Sequence, residues 1–379
     1  MKLNIIVHDC YPNIGHTKAM LEIIRNWPNK EIKEVQIVCY TTESKEVLFP
    51  NEEFQVTLFK VPFPNLKPFL LKSLFFQFYT WLYKAKIKTK GSVTITIGTC
   101  SFIGDIVNIQ FFHHSWEKLY HQVVSTSFLK GIYKSVLLKY LSFCETLYYR
   151  KEGLKFIFLS NFIKEDMLTM FPIKESHYRV AYSSVNVDKF HPSDKERQVL
   201  IRELKTKYPI LESINADRPI ILFAGAYERK GLRPLLEQLS SDQQLIILGS
   251  GETNLLKERV QNRKGVFPIP FTNEIEVFFQ TCDCFVFPTF FEPFGLVVLE
   301  AFATGINLFV TKEKVGASEL IGNHKGVQFI DPTEMSNSLQ SIKVLNKEDR
   351  QKQGLERAEI LKLNSWKSSA EIWQKFITS

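Results

Sequence analysis

The chain has 379 residues, which at roughly 100 to 200 residues per domain points to two domains rather than one large core. Hydrophobic residues make up 45% and charged residues 23%, a globular composition that excludes a disordered, collagen-like or fibrous chain. The formal charge of +8 is uneven: residues 1–180 carry 23 Lys and Arg against 15 Asp and Glu, and the remainder balances. The opening MKLNIIVHDCYP passes from one Lys into a strand-like run without the apolar stretch or cleavage site of a signal peptide, so a cytoplasmic location is expected. Short β-branched runs then alternate with helical stretches: LNIIVH (3–8), VQIVCY (35–40), VTITIG (93–98), VNIQFF (107–112) and KFIFLS (155–160). After the polar segment DKFHPSDKERQ the pattern restarts with PIILFAG (219–225), LIILG (245–249), GVFPI (265–269), CFVFP (284–288), NLFV (307–310) and GVQFI (326–330). This alternation predicts an α/β protein of two Rossmann-like, doubly wound domains facing across a cleft, with the boundary near Ser183 to Pro192.

Between Glu53 and Asp105 there is no acidic residue, whereas Lys60, Lys67, Lys72, Lys84, Lys86, Lys88 and Lys90 all fall there. Phe69 to Lys86 reads as one helix whose bulk apolar surface comes from Phe69, Leu70, Leu74, Phe76, Phe78, Trp81 and Leu82. Such a helix suits the surface of an anionic membrane through residues 66–90. A core helix with a solvated basic edge is the competing reading. Nucleic acid is not expected as a partner, because no recognisable binding motif accompanies the basic residues. The six cysteines form no disulfide framework and read as reduced core thiols, Cys282 and Cys284 included, since they lack a Cys/His pair to complete a zinc site.

The segment CDCFVFPTFFEPFGLVVLEAFATG (282–305) is the richest in chemistry. A strand ends at Pro288, a loop carries Glu292, and Gly295 opens a helix that reaches Glu300 two turns later. Backbone amides of Phe294, Gly295 and Leu296 at that helix start form a seat for phosphate or sugar oxygens. Two carboxylates on this loop and helix can each accept a pair of sugar hydroxyls.

As a whole string, EPFGLVVLEAFATG resembles the E-x7-E segment of family 4 glycosyltransferases, retaining enzymes of the GT-B fold. FAGAYERKG (223–231), KEKVGASELIG (312–322) and NSWKSSAEIWQKF (364–376) agree with it, as does YSSVNVDKFHP (182–192). The likeness covers nearly all of the second half and thins in the first. It implies an N-terminal acceptor domain over residues 1–185, a nucleotide-sugar domain over 186–358, and a closing helix over 359–379 that packs back toward the first. It further implies that Arg229 and Lys230 hold the donor diphosphate, Glu300 the ribose and Glu292 the sugar. The nucleobase would meet the loop GSGE, including Gly251, and the backbone near Ile269. In the first half, Gly15 stands where the family has a pair of glycines, with His16 in the second place. VNIQFFHHSW resembles the strand ending in the active-site histidine, which matches His113. Strand alternation would turn its neighbour His114 the other way.

No Asp-x-Asp pair occurs, so a metal-independent reaction is expected, with no cofactor beyond the nucleotide-sugar donor, a UDP-sugar being favoured. The function implied is a retaining hexosyltransferase-type enzyme. It would move a sugar to a glycan or lipid-linked acceptor in polysaccharide or lipopolysaccharide synthesis, at the inner face of the cytoplasmic membrane. A non-hydrolysing sugar-nucleotide epimerase and a silent nucleotide-sugar-binding protein remain open. A retaining glycosidase fits poorly, because Glu292 and Glu300 share one loop-helix unit instead of flanking a bond.

Overall fold

The structure, a computed structural model, describes all residues except 29–30, 51–53, 63–67, 125–126, 250, 252–257, 259, 261–262 and 270–271. The chain divides into two compact units. The first comprises Met1–Lys118, Ser127–Ser183 and Asn364–Ser379, and the second Leu119–Thr126 and Ser184–Leu363.

In the first unit the strands are β1 (Lys2–Ile6), β2 (Asp9–Cys10), β3 (Glu34–Cys39), β4 (Thr41–Thr42), β5 (Gln55–Lys60), β6 (Ser92–Ile97), β7 (Ile106–Ile109), β8 (Lys155–Phe158) and β9 (Tyr178–Val180). A parallel sheet runs in the order β5-β3-β1-β6-β7-β8-β9, with Ile5 opposite both Ile37 and Ile95, and β2 pairs with β4. Val, Ile and Phe dominate its central strands because helices cover both faces of a parallel sheet. The strand order reverses direction between β1 and β6, which makes the carboxyl ends of those strands a topological switch point. Asn4, buried inside β1, donates from Nδ2 to the carbonyl of Ile87 at 2.8 Å and to the hydroxyls of Ser92 and Thr94.

The helices of this unit are α1 (Gly15–Arg25), α2 (Lys45–Leu48), α3 (Phe69–Leu82), α4 (Lys84–Ile87), α5 (His113–Val123, which runs on into the second unit), α6 (Phe128–Tyr148) and α7 (Asn161–Leu168). The chain's last helix, Trp366–Thr378, belongs here too. It packs on α1 and ties its Ser369 hydroxyl to the carbonyl of Tyr182. Two sequence expectations are corrected. The single helix from Phe69 to Lys86 is broken at Tyr83, and of the residues expected to supply its apolar surface Phe69, Leu74, Phe78, Trp81 and Leu82 are exposed whereas Phe76 is buried, as are Lys72, Ser73, Gln77 and Thr80. Lys72 is no surface charge, because its Nζ lies 2.6 Å from the Asp9 carboxylate. No helix among the described residues is long and apolar enough to cross a membrane.

The second unit holds β10 (Ile220–Ala224), β11 (Gln244–Leu248), β12 (Val266–Ile269), β13 (Cys284–Phe287), β14 (Asn307–Thr311) and β15 (Val327–Ile330). They form a parallel sheet in the order β12-β11-β10-β13-β14-β15, with Leu222 opposite Phe285 and Leu222 opposite Ile246. Here the order reverses between β10 and β13. Helices α8 (Arg197–Lys207), α9 (Leu232–Gln238), α10 (Ile275–Thr281) and α11 (Leu296–Ala303) are followed by the long helix Lys347–Leu363. Arg197 anchors α8 to the sheet by donating from Nε and Nη2 to the two oxygens of fully buried Asp283, at 2.9 and 2.6 Å. The same carboxylate accepts the backbone amides of Ile220 and Leu345, so all of its charge is met. All six cysteines are free and buried.

Candidate active site

At the switch point of the second sheet, two loops leave the carboxyl ends of β10 and β13 side by side. The first carries Arg229 and Lys230, the second Glu292. Arg229 Nη1 donates to the carbonyl of Phe291 at 2.8 Å and to Glu292 Oε2 at 3.0 Å, and Lys230 Nζ lies 3.6 Å from the same oxygen. Glu292 is fixed in turn by its backbone, which exchanges hydrogen bonds with Lys314 and Gly316 across a one-residue parallel bridge to Val315. Lys230 Nζ sits 4.8 Å from the centre of the Phe287 ring. Burial pushes the Lys230 ammonium below the ordinary lysine range, and the Glu292 carboxylate works against that shift. For Glu292, burial alone would raise the carboxyl. The charges of Arg229 and Lys230 outweigh it and hold Glu292 below the usual range, ionised.

Two glycines make this geometry possible. Gly231 has φ +77°, and a Cβ there would lie 1.9 Å from the carbonyl oxygen of Pro288, so only glycine lets the two loops touch. Gly295 (φ +91°) is the N-cap of α11 and offers no side chain to its first-turn amides. Phe294 precedes it and Leu296 is the first helical residue, while Glu300 is buried one turn further on. The partial positive charge of the helix start and the field of two cations therefore converge on one small region. Glu300 also acts on Lys230 through its charge.

Gly251 and Ile269 lie beside this cluster at the ends of β11 and β12. The amide of Gly249 donates to the Ile269 carbonyl at 3.3 Å, and the Tyr227 hydroxyl donates to the Gly249 carbonyl at 3.1 Å. A Cβ at Gly251 would meet the Tyr227 ring at 2.5 Å. Ser250 and Glu252 of the GSGE loop lie outside the described residues. Thus Arg229, Lys230, Glu292, Phe294, Gly295, Leu296 and Glu300 are brought together, with Gly251 and Ile269 adjoining.

Gly15 and His113 lie in the first unit. Gly15 starts α1, and a Cβ there would meet nothing within 4 Å. Its neighbour His16 is half-buried, and burial lowers its pKa. At the end of β1, His8 is half-buried against Phe76, its pKa pushed down to about 3 by burial and by Lys72. The expectation for His113 and His114 is corrected. The strand stops at Ile109, and both residues form the first turn of α5 rather than alternating along a strand. Both rings turn to the same partner, Glu145 of α6. Oε1 takes the amide of His113 at 2.8 Å and its Nδ1 at 2.7 Å; Oε2 takes the amide of His114 at 3.1 Å and its Nδ1 at 2.7 Å. His114 Nε2 also meets the Thr146 hydroxyl at 3.1 Å, which occupies that ring completely. Among the described residues, His113 Nε2 has no such partner. Burial alone would raise Glu145, but the two histidines overcome it and hold the carboxyl below the ordinary range.

Sequence reading missed Glu145. Its signal was there: it is the single acidic residue of a 21-residue helix of Leu, Phe, Tyr and Lys, where a lone carboxylate on the buried side demands partners.

Residues 206–359 match the family described as glycosyl transferases group 1. An uncharacterised glycosyltransferase of Methanocaldococcus jannaschii is 27% identical over 173 residues, 42% of this chain and 43% of that protein. The N-acetylgalactosamine-N,N'-diacetylbacillosaminyl-diphospho-undecaprenol 4-alpha-N-acetylgalactosaminyltransferase of Campylobacter jejuni is 25% identical over 175 residues, 43% of this chain and 48% of that protein. The chain thus matches less than half the length of either relative. Among solved structures, WaaG, a glycosyltransferase involved in lipopolysaccharide biosynthesis, superposes with a TM-score of 0.68 at 14% identity, covering 98% of this chain and 94% of WaaG. Anabaena HepE in complex with UDP and glucose gives 0.67 at 13% identity, with both chains fully covered. The fold is that of the GT-B glycosyltransferases, two Rossmann-like units of parallel sheet.

Proposed function

We propose that the chain transfers a sugar from a nucleoside-diphosphate sugar to a hydroxyl of a glycan or lipid-linked glycan, retaining the anomeric configuration and using no divalent metal. The observation that carries this reading is the Arg229, Lys230 and Glu292 cluster at the switch point, inside the stretch that matches the group 1 glycosyl transferases. Cleavage of the donor leaves a diphosphate that gains negative charge as the bond breaks. A guanidinium fork and a largely buried ammonium, held in place by Glu292, meet that charge. Glu292 neutralises both cations when no diphosphate is held and accepts hydroxyls of the donor sugar; Glu300 accepts the ribose hydroxyls. The same diphosphate takes the acceptor's proton, a front-side route consistent with retention. In the first unit, the Nδ1 proton of His113 is committed to Glu145, so Nε2 is presented as the acceptor of a sugar hydroxyl. HepE is solved with UDP and glucose, and the Campylobacter relative is named for a diphospho-undecaprenol substrate, which supports a UDP-sugar donor and a lipid-linked acceptor.

The test is proton NMR of the protein with UDP-, GDP- and ADP-sugars in EDTA, following donor loss and the anomer of the released sugar. Turnover of one donor with retention, lost in Lys230→Ala, is expected. Inversion, or turnover only after a divalent metal is restored, would refute the mechanism. Release of an isomerised sugar nucleotide would make the chain an epimerase.

A further inference from the structure

Helix α3 is amphipathic in the reverse sense. Its polar side chains face inward, where Lys72 pairs with Asp9, Gln77 donates to the Thr99 carbonyl and Thr80 meets Ser101. The positions turned to solvent are Leu71, Leu74, Phe75, Phe78, Trp81 and Leu82, an i, i+3, i+4, i+7 stripe with no polar member. Phe78 is 55% exposed and Trp81 63%. A neighbouring helix repeats the pattern. Helix α6 runs alongside α3 in the same direction, with Tyr133 beside Leu70 and Tyr140 beside Gln77, and it exposes Leu129, Ile132, Val136, Phe143 and Leu147. Phe143 is 63% exposed, and Phe128 at the start of the helix 81%. Scattered apolar residues on a surface need no explanation, but two adjoining stripes of this size mark a surface that is covered in use.

The charge around the stripes says by what. From Phe69 to Lys90 there is no acidic residue, and from Phe128 to Lys151 the only one is Glu145, which is fully buried. Lys84, Lys86, Lys90, Lys130, Lys139 and Arg150 are exposed. An apolar face whose own two helices and flanks, from Phe69 to Lys90 and from Phe128 to Lys151, expose cations and no acid complements the acyl chains and anionic headgroups of a bilayer. A second copy of the same face would bring like charges together.

We propose that α3 and α6 together form a docking face for an anionic lipid bilayer, into which Phe78, Trp81 and Phe143 insert while the basic residues meet the headgroups. The inference stands on the first unit's geometry and not on the transfer reading.

The experiment is co-sedimentation of the full chain with phosphatidylcholine vesicles, with or without phosphatidylglycerol, at low and high salt. Binding to the anionic vesicles, weakened by salt, is expected. Each basic residue near an anionic surface strengthens binding roughly fivefold, so K84E/K86E/K90E lowers it at least about tenfold and flattens the salt dependence. Trp81→Glu and Phe143→Glu each lower it by a similar factor, while Trp81→Phe and Phe143→Leu do not. Circular dichroism and thermal melts confirm folding of each variant, and donor turnover in the same preparations remains at the parent level. Absence of turnover in the parent itself, with vesicle binding intact, would count against the transfer reading, not this one. Absence of anionic-vesicle binding, or binding that survives Phe143→Glu, overturns the two-helix face. A dimer dissolved by Trp81→Glu, without vesicle binding, assigns the face to a second copy and overturns it as well.

Discussion

Gly225 and Lys230 are fitted to one another: a Cβ on Gly225 would stand 2.3 Å from Lys230 Cδ and 2.7 Å from its Nζ. Gly225 itself has φ +126°, a conformation that side chains rarely adopt. The missing side chain at the end of β10 is thus the space in which the buried ammonium lies.

Gly225→Ala should act through Lys230. The added methyl displaces the ammonium from Glu292 and from the proposed diphosphate position, and donor turnover is expected to fall at least about 100-fold. If the effect runs through Lys230, the double variant with Lys230→Ala will be no worse than Lys230→Ala alone. Additive losses in steady-state kinetics would separate the two residues.

His113 and His114 can be told apart by their second nitrogen. His114 has both ring nitrogens engaged, with Glu145 and Thr146, whereas His113 has only Nδ1 engaged. Replacing His113 by Ala should cost most of the turnover. His114→Phe should cost stability and leave kcat within a few fold. Glu145→Gln keeps one acceptor oxygen but replaces the other with a donor and removes the charge, so only one of the two rings stays oriented, and a loss of roughly 10- to 100-fold in kcat with little change in donor KM is expected. Because the Glu145 carboxyl is held low by its histidines, its stabilising effect is present above the unfolded carboxylate range and lost as pH falls through the folded value. The stability difference between parent and Glu145→Gln should therefore shrink as pH falls through the folded carboxyl value, read by urea unfolding at a series of acid pH values.

Much of the fold was legible because β-branched runs between helical stretches have few other uses. The strands that escaped were β5, whose residues alternate between polar and apolar at a sheet edge, the three-residue β9, and the two-residue β2 and β4. At α3 the apolar surface was legible as a run of residues, but which of them turns inward was not: Phe76 is buried and Lys72 pairs with Asp9 on the inner side. In the site, Arg229, Lys230 and Glu292 were legible as members of a resembling string. Gly225 and Glu145 were not singled out, because what they do is decided by a side chain's path and by a fold partner 31 residues away.

His8 gives a pH signature. Its imidazole packs between Phe69 and Phe76 with Nε2 enclosed; burial, Lys72 and His16 oppose its charge and Asp9 favours it, and its pKa falls from 6.5 to about 3. The unfolded chain binds this proton first, so stability is complete above pH 6.5 and is lost as pH falls toward 3. At pH 5 the loss amounts to about 2 kcal/mol. In denaturant titrations the difference between the parent and His8→Phe should be constant above pH 6.5 and change toward pH 5, the variant losing less. Parallel slopes would show that the ring is protonated in the folded state.

Asp283 offers the largest structural effect. Both of its oxygens are filled, by Arg197 and by the amides of Ile220 and Leu345, at a position with no exposure. Removing it leaves the largely buried guanidinium of Arg197 without a counter-charge and two amides without acceptors, so Asp283→Ala should cost about 3–5 kcal/mol. Asp283→Asn keeps the shape and one acceptor oxygen and should cost less. If the double variant Asp283→Leu/Arg197→Met recovers most of the loss in urea unfolding, the penalty lies in the stranded charge. If it does not, the anchoring of α8, Ile220 and Leu345 by the carboxylate is what the sheet needs.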